Sequence, residues 1–249
     1  MKRIKTGVKG LDEIIEGGFP ENRTVLLSGA CGTGKSIFSM QYIYNGATKY
    51  SEPGIFVTLD ERPELLREDM LKFGWDIQKL EQQDMVHLLD ASLAKIGIPS
   101  EEEFSMPATG FDLDKLLLEI LRLTKRTGAK RLVIDSLSSL GLNFENDNEA
   151  RKAILKISYL LMRIGVTTIL TVEPGKKSFE NDLTLGKFGV EEYVADGVII
   201  LSYMGIGESN RTLHIRKMRA TKHSENMHPI EINDSGFVVK KIGKAYEEV

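Results

Sequence analysis

The segment Gly29-Ala30-Cys31-Gly32-Thr33-Gly34-Lys35-Ser36 sets three glycines, a lysine and a hydroxyl within eight residues. Its spacing is that of a phosphate-cradling loop, G-x-x-x-x-G-K-[ST]. Glycines let successive backbone N–H groups turn toward phosphate oxygens without Cβ clashes. A helix opening at the loop adds free N–H groups and the positive end of its dipole. Lys35 brings a point charge for the β- and γ-phosphates, and the Ser36 hydroxyl is a donor for Mg²⁺. The expected ligand is a nucleoside triphosphate with Mg²⁺. Cys31 fills a variable position and reads as a small filler rather than a redox thiol.

Such a loop works with acids at the ends of buried strands. The run Arg131-Leu132-Val133-Ile134-Asp135 ends in a carboxylate, and Asp135 is expected to hold Mg²⁺ directly or through water. An Asp that merely caps a turn looks the same. Its place about 100 residues after the loop, in the order P-loop proteins use, favours the metal role. Asp60 and Glu61 follow the run 55–59 and are candidates to orient or deprotonate an attacking water. The sequence does not choose between them. Asp60 also reads as a possible N-cap for the helix that begins at Pro63.

Positioning these groups takes strands alternating with helices. Residues 24–28, 55–59, 85–89, 131–135 and 166–172 are short apolar runs. Between them, residues 35–50, 63–73, 113–125 and 148–164 read as helices. Leu113, Leu116, Leu117, Ile120 and Leu121 follow the spacing of one helix face, with Asp112 as N-cap and Gly128 as stop. Residues 173–190 read as an irregular loop containing Gly175, Gly186 and Gly189. Residues 198–203, 213–218, 229–232 and 237–240 are late strands, the last two turning at Asp234-Ser235-Gly236. The expected fold is α/β: a mostly parallel central sheet flanked by helices, with a C-terminal β-hairpin, over one domain spanning residues 1–249.

Composition narrows the function classes. The chain has 249 residues, 41% of them hydrophobic, with 33 basic and 36 acidic side chains for a net charge of −3. That balance excludes dominant disorder and argues against bulk coating of a polyanion. Cys31 is the only cysteine, so a disulfide framework is excluded. No run of 18 apolar residues suggests a membrane span, and residues 1–15 lack a secretory apolar core, so the cytoplasm is the expected location. His87, His214 and His228 show no ligand spacing and read as packed or solvated.

Taken in order, TGVKGLDEIIEGGFP, GACGTGKS, FVTLDE, FGWDI, VIDSLSS, GVEEYVADGVIIL and KMRATKH resemble the KaiC-like branch of the RecA/RadA ATPase superfamily, over about residues 5–240. The resemblance is to one KaiC-type domain and implies a RecA-like core. It also implies homo-oligomers, often hexameric rings or filaments, with ATP between subunits. In such domains Lys-x-Arg-x-Thr-x-His reaches the neighbour's nucleotide. Here the stretch is Lys217, Arg219, Thr221 and His223, with Lys217 and Arg219 against the γ-phosphate in trans. Asp234 falls where the family has an acid near the ribose or base. Without the resemblance, 211–223 is a basic stripe on a solvated strand, and alternation puts Lys217 and Arg219 on one face.

The leading expectation is a Mg²⁺-dependent ATPase in nucleotide-dependent rings with a regulatory or signalling role, for which a signalling protein is the candidate partner besides the chain itself. A recombinase-like, DNA-binding filament is the second reading. Against it, Lys176, Lys177 and Lys187 are mixed with Glu180, Asp182, Glu191 and Glu192, a poor channel for a phosphate backbone. Glu173-Pro174-Gly175 also replaces the polar sensor of the strand-exchange branch. A Ser/Thr autokinase is the third, and a scaffold that holds ATP without cleaving it the fourth.

Overall fold

Every residue of Thr24–Gly29, Gly54–Thr58 and Thr167–Val172 is buried. Strands with no solvent face need helices on both sides of their sheet. The computed structural model describes residues 1–94, 97–108, 110–140, 146–175, 190–204 and 211–240. In chain order they form β1 (Arg3–Ile4), α1 (Leu11–Ile14), β2 (Phe19–Pro20), β3 (Thr24–Gly29), α2 (Lys35–Tyr50) and β4 (Gly54–Thr58). Next come α3 (Pro63–Leu71), α4 (Ile77–Gln82), β5 (Val86–Asp90), α5 (Leu113–Thr127), β6 (Arg131–Asp135), α6 (Leu137–Leu140) and α7 (Asp147–Ile164). The rest are β7 (Thr167–Val172), α8 (Glu191–Val194), β8 (Gly197–Tyr203), β9 (Arg211–Met218), β10 (Met227–Asn233) and β11 (Gly236–Val239).

Nine strands make one sheet, ordered β11-β10-β9-β8-β3-β7-β6-β4-β5. The six from β8 to β5 are parallel, and β9, β10 and β11 continue the sheet antiparallel. Alternate side chains sort into two cores. Val25, Leu27, Phe56 and Val133 pack with Phe38, Tyr42 and Ile43 of α2. Leu26, Val57, Leu132 and Ile134 pack with Leu116, Ile120, Ile157 and Leu161 of α5 and α7. Asp112 caps α5 by accepting from Asp114 N and Lys115 N, and Gly128 ends it in the left-handed region, as expected from the sequence.

The late strands form the expected C-terminal hairpin. The anticipated hairpin, β10–β11, is the outer part of the main sheet, paired to it through β9. Its outer strand is bonded by the N-terminal segment, where Val239 N donates to Lys9 O at 2.9 Å. The other edge strand, β5, is engaged at Asp90, whose N–H donates to Phe104 O and whose carbonyl accepts from Met106 N. α4 and the β1–β2 pair were not anticipated, being too short for a periodic signal.

The TGVKGLD segment is structural. The Asp12 carboxylate accepts from Thr6 N, Thr6 Oγ1 and Gly7 N at 2.7–3.0 Å, tying a tight turn ahead of α1. Gly10 sits at φ +83 with Val239 O only 2.0 Å from where a Cβ would lie, so no other residue fits.

Arg131, at the start of β6, is fully buried beneath α2. It pairs with Glu52 at 2.6 Å, donates to Tyr42 O and Lys5 O at 2.8 Å, and stacks over the Tyr42 ring at 4.6 Å. Space for it is made by Gly46, where a methyl group would lie 2.4 Å from Arg131 Cδ and Nε. Gly→Ala inside a helix ordinarily stabilises by up to about 1 kcal/mol. Here Gly46→Ala is expected to destabilise by about 1–3 kcal/mol, because the guanidinium cannot leave its partners cheaply. Denaturant unfolding reads the sign directly, and a stabilised variant contradicts the packing argument.

Candidate nucleotide site

The loop between β3 and α2 is shaped by Gly32 (φ +79) and Gly34 (φ +100), both left-handed. Thr33 N and Thr33 Oγ1 close it on Ala30 O, at 3.3 and 2.8 Å. No side chain caps the first turn of α2, so its N–H groups remain for an anion. Lys35 Nζ lies across the loop, donating to Gly29 O at 2.7 Å and Ala30 O at 3.1 Å. Cys31 is exposed at the mouth of the cleft.

Parallel register brings the acids to the same end. Thr58 of β4 pairs with Asp135 of β6, and Ser28 of β3 pairs with Val172 of β7. The Asp135 carboxylate is partly buried and accepts from Thr171 Oγ1 and the Ser36 hydroxyl. Burial raises its pKa, and those two hydroxyls and the Lys35 charge oppose the rise. Ser36 and Asp135 therefore present two hard oxygens side by side. Among the described residues there is no cluster of three or more His, Cys, Asp or Glu that could hold a metal. A two-oxygen site fits Mg²⁺, which takes its other ligands from phosphates and water.

Asp60 and Glu61, equal in the sequence, differ in the fold. Asp60 does not cap α3, whose N-cap is Arg62 without a side-chain cap bond. Its carboxylate accepts from Ser136 Oγ at 2.9 Å and from Ser139 Oγ. Glu61 is half-buried in the same cleft, and its carboxylate takes no side-chain hydrogen bond among the described residues. Burial first, then the charges of Asp69 and Asp135, push it above the usual carboxylate range.

The cleft holds about 510 Å³. Glu173, Arg211 and Ile232 line it together with the loop and the acids. Sequence reading placed Arg211 only in a basic stripe and missed Tyr203 and Ile232. Register supplies the missing signal: Tyr203 pairs with Arg211 across β8–β9. Tyr203 OH donates to Gly32 O at 2.6 Å, Arg211 Nε to the same oxygen at 3.3 Å, and the guanidinium lies 5.2 Å over the tyrosine ring. Ile232 Cδ1 comes close to Gly34, and Asp234 lies in the turn two residues beyond.

Lys217, Arg219, Thr221 and His223 are not at this cleft. β9 runs antiparallel to β8, so Arg211 is at the loop end and Met218 pairs with Gly197 beside Val25, at the opposite end of β3. The separation is roughly 15 Å of strand. The expected alternation is also interrupted. A register shift at Val198/Ile199 leaves Arg216 unpaired in the ladder, and Ile215 and Met218 both turn inward. Lys217 Nζ donates to Ala195 O at 2.7 Å. The Arg219 side chain is 59% exposed, with Asp196 Oδ1 at 3.9 Å. Thr221 Oγ1 accepts from Arg3 and donates to Arg219 O, and His223 Nδ1 faces Ser224 O. His87 and His228 are packed, as expected. The mixed-charge residues 176–189 lie outside the described ones.

A glycine loop on a central strand, an uncapped helix behind it, and a Ser36 hydroxyl beside the Asp135 carboxylate from two strands away define a P-loop nucleotide-binding core of RecA type. The family model described as "ATPase: KaiC" matches residues 4–244. A UPF0273 protein of Methanocaldococcus jannaschii is 40% identical over 243 residues, 96% of either chain. The circadian clock oscillator protein KaiC of Thermostichus vulcanus is 38% identical over 235 residues, 94% of this chain but 43% of that one. The crystal structure of a KaiC-like protein from Pyrococcus horikoshii superposes with a TM-score of 0.82 at 42% identity, covering 96% of this chain and 99% of that one. The chain belongs to the KaiC ATPase family. Among the described residues no helix is long and apolar enough to cross a membrane.

Proposed function

We propose that this protein is a Mg²⁺-dependent ATP hydrolase whose sites are completed between copies of itself in a ring. The observation that carries the reading is the direction of β9. Arg219 is exposed and roughly 15 Å of strand from its own loop, too far to serve the nucleotide bound there. A neighbour's loop is the site it suits, as an arginine finger adding positive charge where phosphate charge develops. Lys217 accompanies it, and Thr221 and His223 shape the loop that presents it.

Within one subunit, the loop N–H groups and Lys35 bind the β- and γ-phosphates. Ser36 and Asp135 would hold Mg²⁺, whose charge neutralises phosphate oxygens. Glu61 takes the proton of the attacking water, since its carboxylate is unbraced and more basic than usual, and Asp60 is held by two serines as a positioning group. Asp234 and Arg211 border the ribose and base side. Nucleotide state is then read out as ring geometry, the switch on which a regulatory role depends.

Glu61→Gln is expected to lower kcat by about 10²-fold. In the wild type, kcat/KM rises with pH through the raised Glu61 pKa, so its acid limb lies above the ordinary carboxylate range. The folded chain holds this proton more tightly than the unfolded one. Its stabilising contribution is present below the unfolded pKa and lost as pH rises through the folded one. At neutral pH the Gln variant therefore melts no lower than the wild type. A Gln variant with full turnover removes Glu61 from the mechanism.

Light scattering with and without Mg²⁺ and a slowly hydrolysed ATP analogue tests the assembly. Closed species of one defined mass, formed with nucleotide, are expected. A persistent monomer leaves the phosphate loop in place but removes the trans site.

A further inference from the structure

The loop that follows β9 is fastened from the far end of the chain. Arg3 of β1 lies beneath it with its side chain only 15% exposed. Nη1 donates to Thr221 Oγ1 at 2.9 Å, to Gly18 O at 3.1 Å and to Ile15 O at 3.3 Å. Nη2 donates to Ala220 O at 3.1 Å and to Glu16 Oε2 at 2.8 Å. Three of these acceptors belong to residues 15–18 and two to the loop, so one guanidinium bridges both.

The bridge ends next to Arg219. The Thr221 hydroxyl accepts from Arg3 and donates to Arg219 O at 3.2 Å. A hydroxyl with its one proton committed and a lone pair used is fixed in direction. Between the two lies Ala220 at φ +54, left-handed backbone that an L-alanine avoids unless its surroundings hold it there. Arg3 supplies that hold through the Ala220 carbonyl. Arg219 N is anchored on its other side to Asp196 O at 2.9 Å. The backbone that aims the exposed Arg219 side chain is thus pinned before and after.

We propose that Arg3 is a positioning residue for ATP hydrolysis. It sets the direction of Arg219 toward the neighbour's γ-phosphate through Thr221 and Ala220, touching no nucleotide itself. The role needs a planar fork with several donors, which lysine only partly replaces. The inference rests on the trans reading of Arg219 given above. An interaction that only aims a finger acts in the transition state, so it is read in kcat rather than KM.

The test compares steady-state and single-turnover ATP hydrolysis of full-length wild type, Arg3→Met, Arg3→Lys, Arg219→Ala and the double variant Arg3→Met/Arg219→Ala. Methionine keeps the aliphatic packing so that the fold survives, which melting curves verify. Arg3→Met is expected to lose about tenfold in kcat with KM within about twofold, and Arg3→Lys to recover part of the loss. The double variant is expected to be no slower than Arg219→Ala alone, because an absent finger cannot be misaimed. If Arg219→Ala keeps wild-type turnover, the trans reading fails and this inference with it. If Arg219→Ala is slow but Arg3→Met has normal kcat, a raised KM only, or a loss that multiplies with that of Arg219→Ala, the positioning role alone is overturned. An Arg3→Met chain that does not fold, with Arg3→Lys folded and fully active, overturns it as well.

Discussion

Arg219→Ala is expected to lower kcat about 10³-fold while leaving ATP binding by the loop nearly intact. The side chain is exposed and remote from its own cleft, so its removal costs the fold little. The strong form of the experiment mixes two dead proteins. Arg219→Ala subunits carry intact phosphate loops, and Lys35→Ala subunits carry intact fingers. Random co-assembly puts a good loop against a good finger at about a quarter of head-to-tail contacts, so activity returns on mixing. Mixed assemblies that stay inactive after subunit exchange place Arg219 outside the reaction.

Lys35→Ala carries the other large effect. Its ammonium is the only side-chain cation that the loop itself contributes. Losing such a charge at the transferring phosphoryl group is expected to cost about 10³-fold or more in turnover and to weaken ATP binding in direct titration. Among the described residues Lys35 Nζ hydrogen-bonds two carbonyls at its own loop, so stability changes little. A variant that still hydrolyses ATP at the native rate would falsify the assignment of this cleft as the catalytic one.

Much of this site could be read from residues alone, for a physical reason. A phosphate loop needs local backbone shapes that only glycine grants, so its motif is contiguous. Asp135 was legible because an acid ending an apolar run reports the strand's carboxyl end. The different surroundings of Asp60 and Glu61 were not, because the serines that bond Asp60, Ser136 and Ser139, lie more than seventy residues away in sequence and are brought close only by β4–β6 pairing. Arg211 and Tyr203 were hidden likewise, since their shared contact with Gly32 is set by cross-strand register. For Lys217 and Arg219 the alternation argument gave a shared face, and an unpaired Arg216 broke the period. The strands and long helices lay within a residue or two of expectation because most of them carry one hydrophobic period. The continuous path from β8 to β11 was illegible because strand order is a non-local property.

Both border strands of the sheet are engaged in part by other segments of the chain. β11 is bonded by the segment at Lys9, and β5 by the segment at Phe104 and Met106. The strands at these borders are only four and five residues long. Short border strands engaged in this way present little free ladder among the described residues, which guards against runaway fibre growth. It also limits how copies of the protein can join. It favours contacts made by side chains and loops, which exchange with water and ions readily, over a shared backbone lattice. Contacts of that kind can come apart and reform without any backbone pairing being broken.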